Sequence, residues 1–137
     1  MPFIFNTNEY NKGKLTEEKV KPLIMEYWKN KYNIKQSKNT FEKFDFFDTI
    51  NKTVFELKGR FNSKLKYSTT MINIDKVNNN NKTIFLFNFI DELCYIEYNE
   101  ELFNKFEKKN FCRGRAGDTD KLMFYIPITE LITIHKY

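Results

Sequence analysis

Two acidic residues and a lysine on neighbouring stretches of the chain could together carry out metal-assisted chemistry. Ten residues separate Asp45 from Glu56, and Lys58 follows Glu56 after one further residue. Carboxylate oxygens are ligands that Mg²⁺ prefers, and the backbone carbonyl of Leu57 could add another oxygen. A metal ion held there activates a bound water and neutralises charge on a phosphoryl oxygen, while the lysine positions that water. These residue types therefore favour hydrolysis of a phosphodiester.

A β-hairpin is predicted to bring these side chains together. Aromatic and β-branched residues dominate 41–50 and 53–61, with a polar dipeptide between them. A loop of two or four residues centred on that dipeptide places Asp45 opposite Lys58. Because side chains alternate along a strand, the two carboxylates, the lysine and Arg60 then share one face of the sheet.

Asp48 is the alternative to Asp45 as the first acidic ligand. A three-residue bulged loop would shift the register by one residue and place Asp48 on the face of Glu56. Otherwise Asp48 is a turn residue at the hairpin end. Asp45 is favoured, because Phe44 and Phe46 would then pack together on the opposite face. A plain cross-strand ion pair, contributing well under about 1 kcal/mol, is the alternative interpretation of the whole group.

The order Asp, ten residues, Glu-x-Lys, on a hairpin after an N-terminal helix, resembles the PD-(D/E)xK superfamily. That superfamily is restriction-endonuclease-like and includes Holliday-junction resolvases. The resemblance implies that Asp45 and Glu56 bind Mg²⁺, for which Mn²⁺ can substitute, and that Lys58 serves the attacking water. Many members also have a glutamate in the first helix, often four residues after a glycine. Glu17 and Gly13 match that spacing.

The resemblance also implies a fold and a partner. The expected fold is a restriction-endonuclease-like core, a mixed β-sheet flanked by helices, with residues 1–137 as a single nuclease-like domain. The implied activity is that of an endonuclease, with DNA favoured over RNA, and such folds admit a homodimer. Residues 85–89 and 124–128 further resemble small nuclease-like proteins of large DNA viruses and phages, which implies host cytoplasm, nucleus or virion as the location. The alternative function is a non-catalytic nucleic-acid-binding or virion scaffold protein on the same fold.

Basic and aromatic residues supply candidate contacts to nucleic acid. The net charge of +5 suits a phosphate backbone, although an AT-rich genome would also enrich lysine. Two arginines in the loop 113–118 could clamp a phosphate with forked donors, the alternative being an ordinary surface loop. The candidate phosphate contacts are Arg60, Lys64, Lys66, Arg113 and Arg115, and the candidate for stacking on a base is Tyr67.

The remaining pattern predicts an α/β domain of mixed, α+β character. Apolar residues recur with helical spacing over 16–32, where the helix either begins near Pro22 or is kinked before it. A short helix is predicted over 68–77 and another over 101–108. The nearly continuous apolar run 83–90 predicts a central strand buried on both faces.

Composition excludes several classes of protein. Hydrophobic content of 41% with 18% aromatic residues is too high for a disordered chain. No stretch approaches the roughly 18 apolar residues of a transmembrane helix, and the N-terminus lacks a signal-peptide pattern. Cys94, Cys112 and one histidine, His135, do not have zinc spacing and do not indicate a disulfide framework. A soluble intracellular protein without a membrane partner is expected.

Overall fold

The computed structural model describes residues 7–38, 44–78, 80–111 and 120–137. The helices are α1 (Thr7–Tyr27) and the one-turn α2 (Glu100–Phe103). The strands are β1 (Lys35–Gln36), β2 (Phe46–Asp48), β3 (Thr53–Gly59), β4 (Thr69–Asn73), β5 (Lys82–Asn88), β6 (Glu92–Glu97), β7 (Glu107–Phe111), β8 (Lys121–Pro127) and β9 (Ile132–Lys136). Short 3₁₀ turns occupy Lys64–Lys66, Ile74–Lys76 and Ile128–Glu130. The predicted mixture of helix and strand is confirmed, with strands predominating.

Two sheets form from these strands. The larger has the order β1-β2-β3-β5-β6-β9, and the smaller has the order β4-β8-β7. Within the larger sheet β3 and β5 are parallel, whereas the other neighbours are antiparallel. The larger sheet is therefore mixed, as predicted. The connection from β3 to β5 runs through β4 of the smaller sheet.

The two faces of the larger sheet are covered differently. Helix α1 packs on one face, where Val20 and Ile24 are fully buried against residues of the sheet such as Phe55. On the opposite face, Phe85 and Phe87 of β5 belong to a phenylalanine-rich core shared with the smaller sheet. The sheet was expected to be flanked by helices, whereas among the described residues α1 covers one face and the smaller sheet covers the other.

Helix α1 runs from Thr7 to Tyr27 through Pro22, so the helix does not begin near Pro22 and no turn precedes it at 16–21. Proline inside a helix costs about 3 kcal/mol. Pro22 itself is exposed, while Val20 and Ile24 on either side of it are fully buried. Each buried aliphatic side chain contributes about 1.5–3 kcal/mol, so the apolar face of the helix offsets the proline.

The predicted helix over 68–77 is wrong, because its first half forms strand β4. Thr70 and Ile72 point inward at alternate positions and pair with Ile126 and Phe124 of β8. The predicted helix over 101–108 is likewise shorter than expected, ending at Phe103 before β7 begins. Pairing with β8 overrides local helix spacing in both segments. The buried central strand predicted at 83–90 is confirmed as β5.

The hairpin of β2 and β3 has a four-residue loop, with Asp48 opposite Thr53 and Phe46 opposite Phe55. This register differs by two residues from the predicted one. Because side chains alternate with a period of two, a shift of two leaves each residue on its predicted face. The loop residue with positive φ is Lys52, at 49°.

No helix in the described parts of the chain is both long enough and apolar enough to cross a membrane.

Candidate active site

Strand β3 carries Glu56 and Lys58 on the face away from α1. Their partners on β5, Phe85 and Phe87, lie in the core shared with the smaller sheet. The Nζ atom of Lys58 lies 3.1 Å from Glu56 Oε1. The glutamate side chain is only 5% exposed, against 32% for the lysine. A buried carboxylate is thus connected to a cation that reaches solvent.

Lys76, on the 3₁₀ turn after β4, is a second cation at this carboxylate. Its Nζ atom lies 3.4 Å from the same Oε1 atom of Glu56, and its side chain is also 32% exposed. Burial raises the pKa of Glu56, and nearby Asp45 adds to the rise, whereas Lys58 and Lys76 lower it. Lys76 is not among the predicted site residues, because its segment was expected to be a helix.

Asp45 lies immediately before β2, at the open end of the hairpin. Its backbone N–H donates to the Phe55 carbonyl at 3.2 Å, and its Oδ2 atom accepts from the Leu57 N–H at 2.8 Å. The N–H and C=O of a strand residue point toward the same neighbouring strand. The carbonyl of Leu57 therefore also points toward the side occupied by Asp45, as the predicted oxygen ligand would require.

Glu17 of α1 lies against Asp45. The two carboxyl groups share a hydrogen bond, and Gln36 Nε2 donates to Glu17 Oε2 at 3.3 Å. Burial, followed by the contact with Glu17, raises the pKa of Asp45 to about 6, while the Leu57 N–H and Lys58 lower it. Two carboxyl groups in contact need a proton or a cation between them. The geometry thus places the glutamate implied by the family resemblance beside the predicted aspartate.

The donor set of this site consists of hard oxygens. Glu17, Asp45 and Glu56 are coupled electrostatically through Asp45, and the Leu57 carbonyl adds a neutral oxygen. Such donors suit Mg²⁺ or Mn²⁺ by chemical type. Among the described residues, however, no group of three or more His, Cys, Asp or Glu side chains is already positioned to hold a metal ion.

Asp48, the alternative ligand, is the last residue of β2, next to the hairpin turn and on the opposite face from Glu56. Its Oδ1 atom accepts from the backbone N–H groups of Ile50 and Asn51, and its Oδ2 atom accepts from the N–H of Asn33. This carboxylate is 1% exposed. From the end of β2 its carboxylate therefore holds the backbone of the following hairpin turn.

The residues predicted to contact nucleic acid differ in their partners and exposure. Arg60 donates to Thr70 Oγ1 at 3.1 Å and to the Met71 carbonyl at 2.6 Å, which ties β3 to β4. Lys64 Nζ lies 3.6 Å from Glu92 Oε1. Lys66 is exposed, and its ammonium lies 5.5 Å from the Tyr67 ring centroid. Arg113 and Arg115 lie outside the described residues.

The mixed sheet with its hairpin agrees in outline with the expected architecture, and the restriction-endonuclease-like core stays a prediction. No family model, no curated protein and no solved structure matches this chain.

Proposed function

We propose that this protein is a Mg²⁺-dependent nuclease that cleaves DNA. The observation that carries the proposal is the contact of Asp45 with Glu17 on one side and with the Leu57 peptide on the other. A carboxyl with a pKa of about 6 beside a second carboxyl is a poor structural element and a good cation site. The neighbouring Glu56 and Lys58 supply the remaining groups of the Asp, Glu-x-Lys pattern.

Asp45, Glu56 and the Leu57 carbonyl would hold the metal ion, with Glu17 accepting hydrogen bonds from its waters. The ion would supply Lewis-acid stabilisation and a water of lowered pKa. The protein's own residues would keep these oxygens close to one another. Burial of Glu56 serves this task, because a buried carboxylate gains strongly from a nearby cation.

The two lysines have a separate role. The ammonium groups of Lys58 and Lys76 are attached to Glu56 at 3.1 and 3.4 Å, yet about a third of each side chain reaches solvent. An incoming phosphate can therefore attract either lysine without a large rearrangement. Lys58 lies on the same strand as the carbonyl of Leu57 and orients the attacking water, whereas Lys76 neutralises substrate charge.

A non-catalytic nucleic-acid-binding or virion scaffold protein is the second candidate. The observation that favours it is the paired state of Glu56, since two ammonium groups already compensate this carboxylate. A buried network of this kind can simply connect β3 to the 3₁₀ turn after β4. In that case the site would bind no metal ion.

Cleavage assays with matched lysine variants distinguish the two candidates. Plasmid, single-stranded and branched DNA are incubated with Mg²⁺ or Mn²⁺. We expect the wild type to cut at least one form, and Lys58→Ala to lose activity by about 10²–10⁴-fold, as for loss of a proton-transfer group. Lys76→Ala, which removes the other ammonium from Glu56, should retain activity within about tenfold.

Equal losses in both variants would mean that charge compensation alone matters at Glu56. If no form of DNA is cut with either metal ion, the scaffold function replaces the nuclease.

A further inference from the structure

A cavity of about 330 Å³ opens next to the candidate active site. It is lined by the segment that follows β3, by β4 and β8 of the smaller sheet, and by Phe89 and Ile128. Arg60 lines it and is two residues beyond Lys58, which corresponds to about 7 Å along an extended strand. The guanidinium carbon lies 5.5 Å from the centroid of Phe87, the β5 partner of Lys58, so both basic residues face the same side.

The walls of the cavity are largely aromatic and apolar. Tyr67, Met71, Phe89, Tyr125 and Ile128 line it. Phe89 is almost fully buried, whereas Tyr67 is 57% exposed and stands at the rim. The volume falls in the lower part of the range of small-molecule sites, about 300–1,000 Å³. A flat ring of the size of a nucleobase suits this shape, with the tyrosine as a stacking surface.

Two basic side chains, Arg60 in the lining and Lys66 beside Tyr67, bring positive charge to the cavity. The hydrogen-bond acceptors of Arg60 are neutral oxygens, those of Thr70, Gly59 and Met71, and its guanidinium stays protonated. Lys66 adds an exposed ammonium next to the ring of Tyr67. The charge of Lys64, by contrast, is compensated by Glu92. An anionic group attached to the ring would therefore be attracted to the rim.

We propose that this cavity binds one unpaired base of a nucleic-acid strand whose neighbouring phosphate lies at the candidate active site. The inference rests on the proposed function in taking the site at Lys58 as the position of cleavage. Bases inside a duplex are stacked and cannot enter a cavity without extrusion, which costs a few kcal/mol. The substrate class is therefore single-stranded DNA, or a branched form with unpaired bases, in preference to intact duplex.

The test measures binding separately from cleavage. Fluorescence anisotropy in EDTA compares a labelled single strand of about 12 nucleotides with a duplex of the same length, at one stated salt concentration. The wild type should bind the single strand more tightly. Tyr67→Ala should weaken single-strand binding by about 5- to 150-fold and leave duplex binding within about twofold, whereas Tyr67→Phe should keep the wild-type affinity.

Leu65→Ala is the matched control. Leu65 lies two residues away on the same segment, is 81% exposed and does not line the cavity, so its variant should bind like the wild type. A single abasic position in the strand should lower the affinity of the wild type and not that of Tyr67→Ala. A free mononucleotide should compete only weakly, because the strand supplies the remaining phosphates.

The outcomes separate this inference from the nuclease proposal. If single-strand binding depends on Tyr67 but no DNA is cleaved, the base-binding role of the cavity is supported and the nuclease proposal is wrong. The base-binding role is wrong if Tyr67→Ala binds single strands as tightly as the wild type does, or if the wild type binds duplex as tightly as single strands. Cleavage of DNA by the wild type would still support the nuclease proposal in either case. Competition by a mononucleotide as strong as by the strand also overturns the base-binding role.

Discussion

Two aspartates occupy opposite ends of one short strand, and their surroundings differ. At the turn, Asp48 is almost completely buried and accepts hydrogen bonds from the backbone of Asn33, Ile50 and Asn51 and from the side-chain amide of Asn51. Burial alone would raise the pKa of this carboxyl. The hydrogen bonds, above all that from Asn51, outweigh burial and hold the pKa below its usual value.

At the open end, Asp45 accepts from one backbone N–H, that of Leu57, and meets the carboxyl group of Glu17. Burial and this second carboxyl raise its pKa to about 6. The same residue type thus has opposite ionisation behaviour three positions apart. A carboxylate that accepts several hydrogen bonds, such as Asp48, stabilises the fold, whereas one that faces another carboxyl is available to bind a cation.

The largest expected effect concerns stability. Asp48→Ala should lower the free energy of unfolding by about 3–5 kcal/mol, because several buried N–H donors lose a charged acceptor. Asp45→Asn should raise it at pH 7, by up to about 3 kcal/mol, since the variant avoids the cost of ionising a carboxyl that is buried against Glu17. Urea unfolding in EDTA measures both, with Asp48→Asn as an intermediate control. Equal losses for Asp48→Ala and Asp45→Asn would end the distinction between the two ends of the strand.

The next effect is a dependence of stability on pH. The pKa of Asp45 rises from 3.8 to about 6 on folding, so the folded state binds more protons between these values. Stability contributed by protonated Asp45 is present below about pH 4 and is lost as the pH rises to about 6. The loss amounts to about 3 kcal/mol at 1.36 kcal/mol per pKa unit. Urea denaturation at several pH values between 4 and 7 should show that the free energy of unfolding of the wild type falls, relative to that of Asp45→Asn, as the pH rises. The same pH dependence in both proteins would contradict this prediction.

Metal binding should sharpen the comparison further. Mg²⁺ or Mn²⁺ at a hundredfold excess over Kd should stabilise the wild type by about 2.7 kcal/mol. Thermal melting should show this shift in Asp48→Asn as well, at a lower starting Tm. Asp45→Asn should lose the shift and the cleavage together. If the metal-dependent shift in Tm persists in Asp45→Asn, the ion binds elsewhere in the molecule.

Short-range alternation is what made part of the site predictable. Glu56 and Lys58 share one face of β3 because side chains alternate along a strand, and the shift of two residues in the hairpin register does not change that face. Asp45 lies just before β2 in the same hairpin and reaches the Leu57 N–H with its side chain. Glu17 came from the family resemblance, since its approach to Asp45 depends on the packing of α1. Lys76 was beyond local patterns, because it reaches Glu56 only after β4 has joined a strand far along the chain.

For the fold, too, local patterns predicted some elements, whereas others depend on tertiary packing. The buried strand β5 was evident from its continuous apolar run. The segment that forms β4 has weak local preferences, and its partner β8 decides its conformation. Helix α1 could not be delimited from sequence, because the cost of Pro22 is local while the burial that offsets it is tertiary.

The crossover through the smaller sheet has a kinetic consequence. Strands β3 and β5 are parallel neighbours at the centre of the larger sheet, and the chain between them contributes β4, whose partner β8 lies more than 45 residues further along the chain (for example Asn73 opposite Met123). Loop closure over such separations slows folding, and sheets rich in non-local pairs fold in milliseconds to seconds. We therefore expect the hairpin of β2 and β3 to form early, with the cavity and the Lys76 contact appearing only in the slow phase. Stopped-flow refolding of the wild type and Lys76→Ala, followed by the fluorescence of Trp28, which follows α1 and contacts Phe55 of β3, would test that order: loss of a contact that forms late should speed unfolding and leave the folding rate unchanged.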